Sequence, residues 1–339
     1  MTLQQVFGLL SEMWLGQPVW MWVSFLALVL FLLWLDLGVL HKKSHAVTPR
    51  ESFFMWAMFA AFAIAFGAYV WRDLGRDAGI QFFTGYLLET SLAFDNIFVM
   101  STIFAYFAVP REYQHRVLFW GILGAIFFRA IFIGAGAALI ENFVWVLYVF
   151  ALFLIVTGVK MATAKEPGPN IGRNPIVAVA RRVMPVTEQI HGDRFFVRAP
   201  HGERGQLKTL ATPLFLALLA VEFVDIVFAI DSVPAIFAVT QDPFIVYTSN
   251  IFAILGLRSM YFMLAAAVER FAYLKAGLSI ILVLIGLKIF WNFGIKDLGL
   301  DKSLGFQKLD PIVALTATIT ILAGSILYSL WKTRRRRPA

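Results

Sequence analysis

The sequence predicts an all-α polytopic membrane protein with about nine transmembrane helices and an inverted three-plus-three helix repeat. Three observations predict it. First, the 339-residue chain is 60% hydrophobic with a mean hydropathy of +0.77, and only 15% of it is charged, against roughly 25% in soluble domains. Second, connections rich and poor in Lys and Arg alternate along the chain. Third, one acidic stretch within an apolar setting occurs twice. There is no cysteine, which excludes disulfides and thiolate metal sites.

Taken in order, residues 1–18 hold no basic residue and lack the charged start and small-residue cleavage site of a signal peptide. They read as an extracytoplasmic N-terminus. A bilayer core takes about 20 apolar residues per helix. Residues 19–71 hold two such spans, 19–40 and 52–71. Residues 80–163 hold three, at 80–108, 117–139 and 143–163, and residues 211–292 hold three more, at 211–239, 244–266 and 272–292. A last span covers 311–331, ahead of a basic cytoplasmic tail, 332–339. The third and sixth spans exceed the needed length, so they tilt, bend or break. Residues 164–210 form a polar loop with five prolines and eight basic residues. It reads as a cytoplasmic linker held near anionic lipid, long enough for a short surface helix around "IVAVARRVMPV".

The 29 Lys and Arg set the orientation. Connections after spans one, three, five and seven, with the C-terminus and Lys275 at the start of the eighth span, hold 20 of them. The alternate connections hold Arg72, Arg76, Lys296, Lys302 and Lys308. Basic residues favour the cytoplasmic side, so the N-terminus lies outside and "KTRRRR" inside.

The repeat links "ETSLAFDN" at 89–96 to "VDIVFAIDS" at 224–232. Asp225, Asp231 and Ser232 follow Glu89, Asp95 and Asn96 by the same 136 residues. "TGVK" at 157 answers "IGLK" at 285 at an offset of 128, and mid-span Arg129 answers Arg258. Each copy has three spans, an odd number, so the second lies upside down relative to the first. Many secondary transporters share this architecture, with their site near the midplane between the halves.

Glu89 and Asn96 are seven apart and share a helix face, as do Asp225 and Ser232, with Glu222 a turn earlier. Pro234 withdraws the N–H that the Ile230 carbonyl needs, so a bend and free carbonyl ligands are expected beside Asp231. At depth, Glu89, Asp95, Glu222, Asp225 and Asp231 bring five negative charges, with Asp36 a possible accessory acid. Arg129 and Arg258 return two as charge-compensating residues. Such an excess in low dielectric requires protons on the carboxylates or a bound cation, and alternation between the two is proton–cation exchange. Carboxylates, Asn96 and Ser232 are hard oxygen donors suited to Mn, Mg or Ca. The five histidines (41, 45, 115, 191 and 201) fall in predicted cytoplasmic loops, which disfavours copper and zinc. Lys160 and Lys288 read as snorkelling side chains, and Met100, Met260 and Met263 as packing. Asp95 and Asp231 are expected as direct ligands and Glu89 with Asp225 as proton carriers, although the sequence leaves these roles exchangeable.

At "GYLLETSLAFDNIFV", "FFVR", "VEFVDIVFAIDSVPAIFAVTQDPFIVYTSNIFAILGLRSMYF" and "RFAYLKAGLSIILVLIGLK" the chain resembles the TerC family of integral membrane proteins, its Alx-type subgroup above all. The likeness runs from about residue 20 to the last span. It implies a bacterial inner-membrane protein of manganese efflux and metal stress, within the superfamily of LysE-type exporters. It also implies that the family's acidic motif falls on Glu89, Asp95, Asn96, Glu222, Asp225, Asp231 and Ser232. The tellurium-resistance name does not make tellurite a substrate, since an anion would meet a site of the wrong sign.

The leading expectation is an exporter of divalent cations, most of all Mn²⁺, exchanged for protons, with no permanently bound cofactor. The alternative is a metalation or assembly factor for secreted proteins, with little flux of its own and a secretion-machinery or metalloprotein partner docking on 164–210. An anion or amino-acid exporter using Arg129 and Arg258 as ligands fits the charge balance less well. No Ser/His or Cys/His constellation lies in the spans, so an enzyme is not expected. Membrane lipid is an expected partner and nucleic acid is not.

Overall fold

Prolines mark where helices begin. Pro49, Pro175, Pro213, Pro243 and Pro311 each open one, where a missing N–H costs nothing and the fixed φ is already helical. The computed structural model describes residues 8, 10–36, 48–163, 175–201, 206–264, 274–297 and 310–334. A two-residue-strand hairpin, β1 (Met13–Trp14) and β2 (Gln17–Pro18), leads into α1 (Val19–Trp34). Next come α2 (Pro49–Asp73), α3 (Arg76–Tyr106), α4 (Arg111–Asn142) and α5 (Val146–Thr163). After them lie α6 (Pro175–Val183), β3 (Phe196–His201) and β4 (Gln206–Ala211). The chain ends with α7 (Pro213–Val239), α8 (Pro243–Leu264), α9 (Leu274–Asp297) and α10 (Pro311–Arg334).

Local chemistry fixes several of these starts. Thr48 and Glu51 form a reciprocal capping box on α2, and Asp242 accepts from the N–H groups of Phe244 and Ile245 at 2.8 and 3.3 Å on α8. Asp310 does the same for Ile312 at 2.9 Å on α10. Gly75, at φ +97°, makes the turn between α2 and α3 that a side chain would strain.

Seven described helices are long and apolar enough to cross a membrane: α2, α3, α4, α5, α7, α9 and α10. The other two predicted spans fall on α1, which has 16 residues, and on α8. α8 is the least lipid-like of the set because it lies inside the others: every residue from Phe244 to Tyr261 is buried. The outer surface is apolar, with Leu30, Phe54, Ile64, Phe127, Val156 and Leu327 exposed. A water-soluble protein would not leave such a surface bare.

The six helices around the centre pair in an exchanging pattern, α3 against α8, α4 against α7, and α5 against α9. The last pair meets backbone to backbone. A methyl group added at Gly158 would lie 2.8 Å from Val283 and 2.9 Å from the carbonyl oxygen of Ser279. One added at Gly286 would lie 2.7 Å from both Ile155 and the carbonyl oxygen of Ala151. Only glycine fits at either place, and the Ser279 hydroxyl donates to the Gly158 carbonyl at 2.7 Å.

Residues 164–210 are more than a linker. Their described part contains the expected short helix, α6, which buries Val177 and Ala180, and an antiparallel β3–β4 pair that the sequence reading did not foresee. Residues 164–174 and 202–205 lie outside the described residues. α7 continues through Pro234 as one helix without a break, and Ile230 lacks that proline's N–H, as the expectation of a bend there requires.

Candidate functional site

The most buried charges of the protein converge at its centre. Arg129 on α4 donates from one guanidinium nitrogen to Glu89 on α3, to Ser232 on α7 at 3.1 Å and to Asn250 on α8 at 2.8 Å. Its other terminal nitrogen stands 3.7 Å from Asp225 on α7. Arg129 is 1% exposed, Glu89 2% and Asp225 3%, so this cluster has no bulk water to screen it. Arg258 on α8, 2% exposed, pairs with Asp36, two residues past the end of α1. Glu222, a turn before Asp225, is half-buried, and its carboxylate sits against Gly124 where no side chain leaves room for anything larger.

Several oxygens here accept no hydrogen bond from any described residue. They are Glu89 Oε2, Glu222 Oε2 and both carboxylate oxygens of Asp225. Buried polar atoms without a donor are uncommon and call for an occupant. Charge gives the same answer. Among the described residues the three acids Glu89, Asp225 and Glu222 gather about one arginine, Arg129, which leaves two negative charges, while Asp36 is paired with Arg258. Among the described residues no three His, Cys, Asp or Glu side chains already form a metal cage. The Arg129 guanidinium lies between Glu89 and Asp225, in the place a bridging cation would take.

The expected set is thus gathered in part. Glu89, Asp225, Ser232 and Arg129 meet directly, while Glu222 flanks them. Asn96 is buried on α3 two turns from Glu89. Asp231 is only half-buried and feels the charge of Lys160 on α5 rather than that of Arg129. The Asp95 side chain lies outside the described residues. Asn250 was missed in the sequence. Its signal was a lone amide in "YTSN" at the start of a helix buried on every side, and Thr248 and Ser249 beside it spend their hydroxyls on their own helix.

The surroundings differ at the two ends of the bundle. Beyond Asp225 a void of about 10 Å³, room for about one water, is lined by Met100, Leu118, Leu257 and Arg258. One turn further a cavity of about 320 Å³ opens among Ser101, Phe104, Arg111, Gln114 and Tyr261. There the Tyr261 hydroxyl donates to Gln114 at 3.0 Å, and the Gln114 amide donates to the Val109 carbonyl at 3.0 Å. At the other end rings close the bundle: Trp22 meets Phe244 at 5.1 Å, and Phe66 meets Phe252 and Phe82 at 5.1 and 5.6 Å.

Comparisons with known proteins agree in kind. The pattern described as "Integral membrane protein TerC family" matches residues 74–337. The "Uncharacterized membrane protein STKORF319" of Myxococcus xanthus is 49% identical over 314 residues, 93% of this chain and 93% of its own length. A protein of Photorhabdus laumondii named "Putative membrane-bound redox modulator Alx" is 43% identical over 93% of this chain and 96% of its own length. One of the same name in Salmonella typhi is 42% identical over 95% and 97%. No solved structure matches.

Proposed function

The chain belongs to the integral membrane protein TerC family, and from that premise we propose that it exports divalent metal cations, Mn²⁺ foremost, in exchange for protons. The observation that carries this reading is the set of buried carboxylate oxygens on Glu89, Glu222 and Asp225 that accept no hydrogen bond. They are hard donors, matched to Mn²⁺, Mg²⁺ or Ca²⁺. The two surplus negative charges of the cluster equal one divalent cation or two protons, so either occupant leaves the same balance. Asn96, Asp95 and Asp231 remain candidates to hand the ion along, with Ser232 already at the site through Arg129.

Nine spans in an inverted three-plus-three arrangement suit this function. In its support, Gly158 packs on residues 279 and 283 while Gly286 packs on 151 and 155. Each contact is the other shifted by the 128-residue offset. In this reading the N-terminus lies outside, the C-terminus and residues 164–210 lie in the cytoplasm of a bacterial inner membrane, and the 320 Å³ cavity faces inward. A cysteine-free chain allows a direct check of sidedness: in Ile190→Cys, a membrane-impermeant maleimide added outside intact cells should not react. Labelling there would reverse the orientation.

The second reading is a metalation or assembly factor, and α6 with the β3–β4 pair gives it a formed docking surface. The redox name of the relatives fits either one. This chain has no cysteine for thiol exchange, so a redox effect would run through metal supply. The experiment that tests the proposal is flux by purified protein in proteoliposomes, with Mn²⁺, Mg²⁺ and Ca²⁺ compared under an imposed proton gradient. Gradient-dependent Mn²⁺ movement is expected. Tight Mn²⁺ binding without flux would favour the metalation factor, and no binding would end both.

A further inference from the structure

We propose that Asp36 and Asp225 compete for Arg258, and that its transfer from Asp36 to Asp225 lets the emptied site return without metal. The proposal rests on the export reading above and assigns a part in it to residues outside the ligand set. Along the bundle the buried charges alternate in sign: Glu89, Arg129, Asp225, Arg258, Asp36. Arg129 is committed to Glu89 and reaches Asp225 only at 3.7 Å. Asp225 and Arg258 line the same one-water void, and both Asp225 oxygens accept no hydrogen bond. Arg258 is thus the second cation within reach of Asp225.

What keeps it away is a residue from outside the repeat. By sequence position Arg258 is the counterpart of Arg129, yet the two are held differently. Arg129 is held by α3, α7 and α8, whereas Arg258 pairs with Asp36 beyond α1. Among the described residues Nη1 of Arg258 has no hydrogen-bond partner, and Asp36 is the acid that pairs with the guanidinium.

The two arrangements suit the two states of the site. With Arg258 on Asp36, Asp225 is uncovered and the cluster attracts a cation. With Arg258 on Asp225, Glu89 and Asp225 each have an arginine, and Asp36 gives up its pairing with Arg258. Glu222 stays half-buried beside Asp225 in both. With Glu89 and Asp225 covered in this way and a proton on Glu222, the site can change sides empty, whereas a bare pair of carboxylates in low dielectric cannot.

The test uses full-length protein with Mn²⁺ as the probe. In Asp36→Asn, Arg258 is freed onto Asp225, and Mn²⁺ binding should weaken about tenfold, within the usual range for coupled sites. The double variant Asp36→Asn with Arg258→Gln removes both partners. Its Mn²⁺ binding should return to within about threefold of the unaltered protein while export in proteoliposomes stays at least about tenfold lower. Binding in Asp36→Asn equal to that of the unaltered protein would overturn the proposal. So would full export by the double variant, or its failure to insert, which would make the pair a fastening for α1. If the unaltered protein binds no Mn²⁺, the export reading itself falls.

Discussion

Protein carrying Asp225→Asn is expected to lose at least about a hundredfold in Mn²⁺ affinity and to export no Mn²⁺, yet to insert and melt much as before. The argument begins with what Asp225 does when the site is empty. It accepts no hydrogen bond, and its nearest cation is 3.7 Å away, so its charge contributes little to the packing around it. With metal bound the same carboxylate becomes a charged ligand in a dry site. Removing one partner from such a pair costs about 3–5 kcal/mol, which is roughly two to almost four powers of ten in affinity. Titration calorimetry and thermal unfolding of the same preparation separate the two quantities. Unchanged Mn²⁺ affinity would make Asp225 a bystander.

Arg129→Gln should behave in the opposite sense. Without Arg129, Glu89 and Asp225 face each other uncovered, and the empty protein should be destabilised by about 3–5 kcal/mol. A divalent cation fills the place the guanidinium left, so Mn²⁺ should restore much of that stability by mass action. The expected signature is a Mn²⁺-induced rise in Tm larger than in the unaltered protein, together with export reduced at least about tenfold because Glu89 is left without its cation once the ion departs. If Arg129 only pins helices together, Mn²⁺ will not rescue the variant. Differential scanning fluorimetry with and without Mn²⁺ decides between them.

Glu89, Asp225 and Arg129 were legible in the sequence because charge in an apolar run has few explanations. What was not legible is which cation meets which acid. Helical spacing places Glu89 and Asn96 on one face, but Arg129 approaches from α4, and only packing shows that it reaches Glu89, Asp225, Ser232 and Asn250 together. Asp231 illustrates the converse. Its match to Asp95 in the repeat suggested a ligand, whereas its helix turns it partly outward, towards Lys160. Lys160, read as a snorkelling end, thereby acquires an electrostatic neighbour. α8, read from the sequence as the span 244–266, is less apolar than the seven lipid-crossing helices because a helix wrapped by protein need not be as apolar as one wrapped by lipid. The β3–β4 pair was missed because a short polar hairpin within a Pro-rich connection carries little hydrophobic alternation.

Where α5 crosses α9, no side chain separates the two backbones at Gly158 and Gly286. Sliding one helix past the other would drive backbone atoms into carbonyl oxygens, so this crossing cannot act as a sliding joint. It can act as a fulcrum. Ten residues along a helix is about 15 Å, and a tilt of roughly 10° about such a point moves the far end by about 2.6 Å. That displacement is about the width of the one-water void between Asp225 and Arg258, so the leverage of two glycines would be felt as a change of charge partner at the centre.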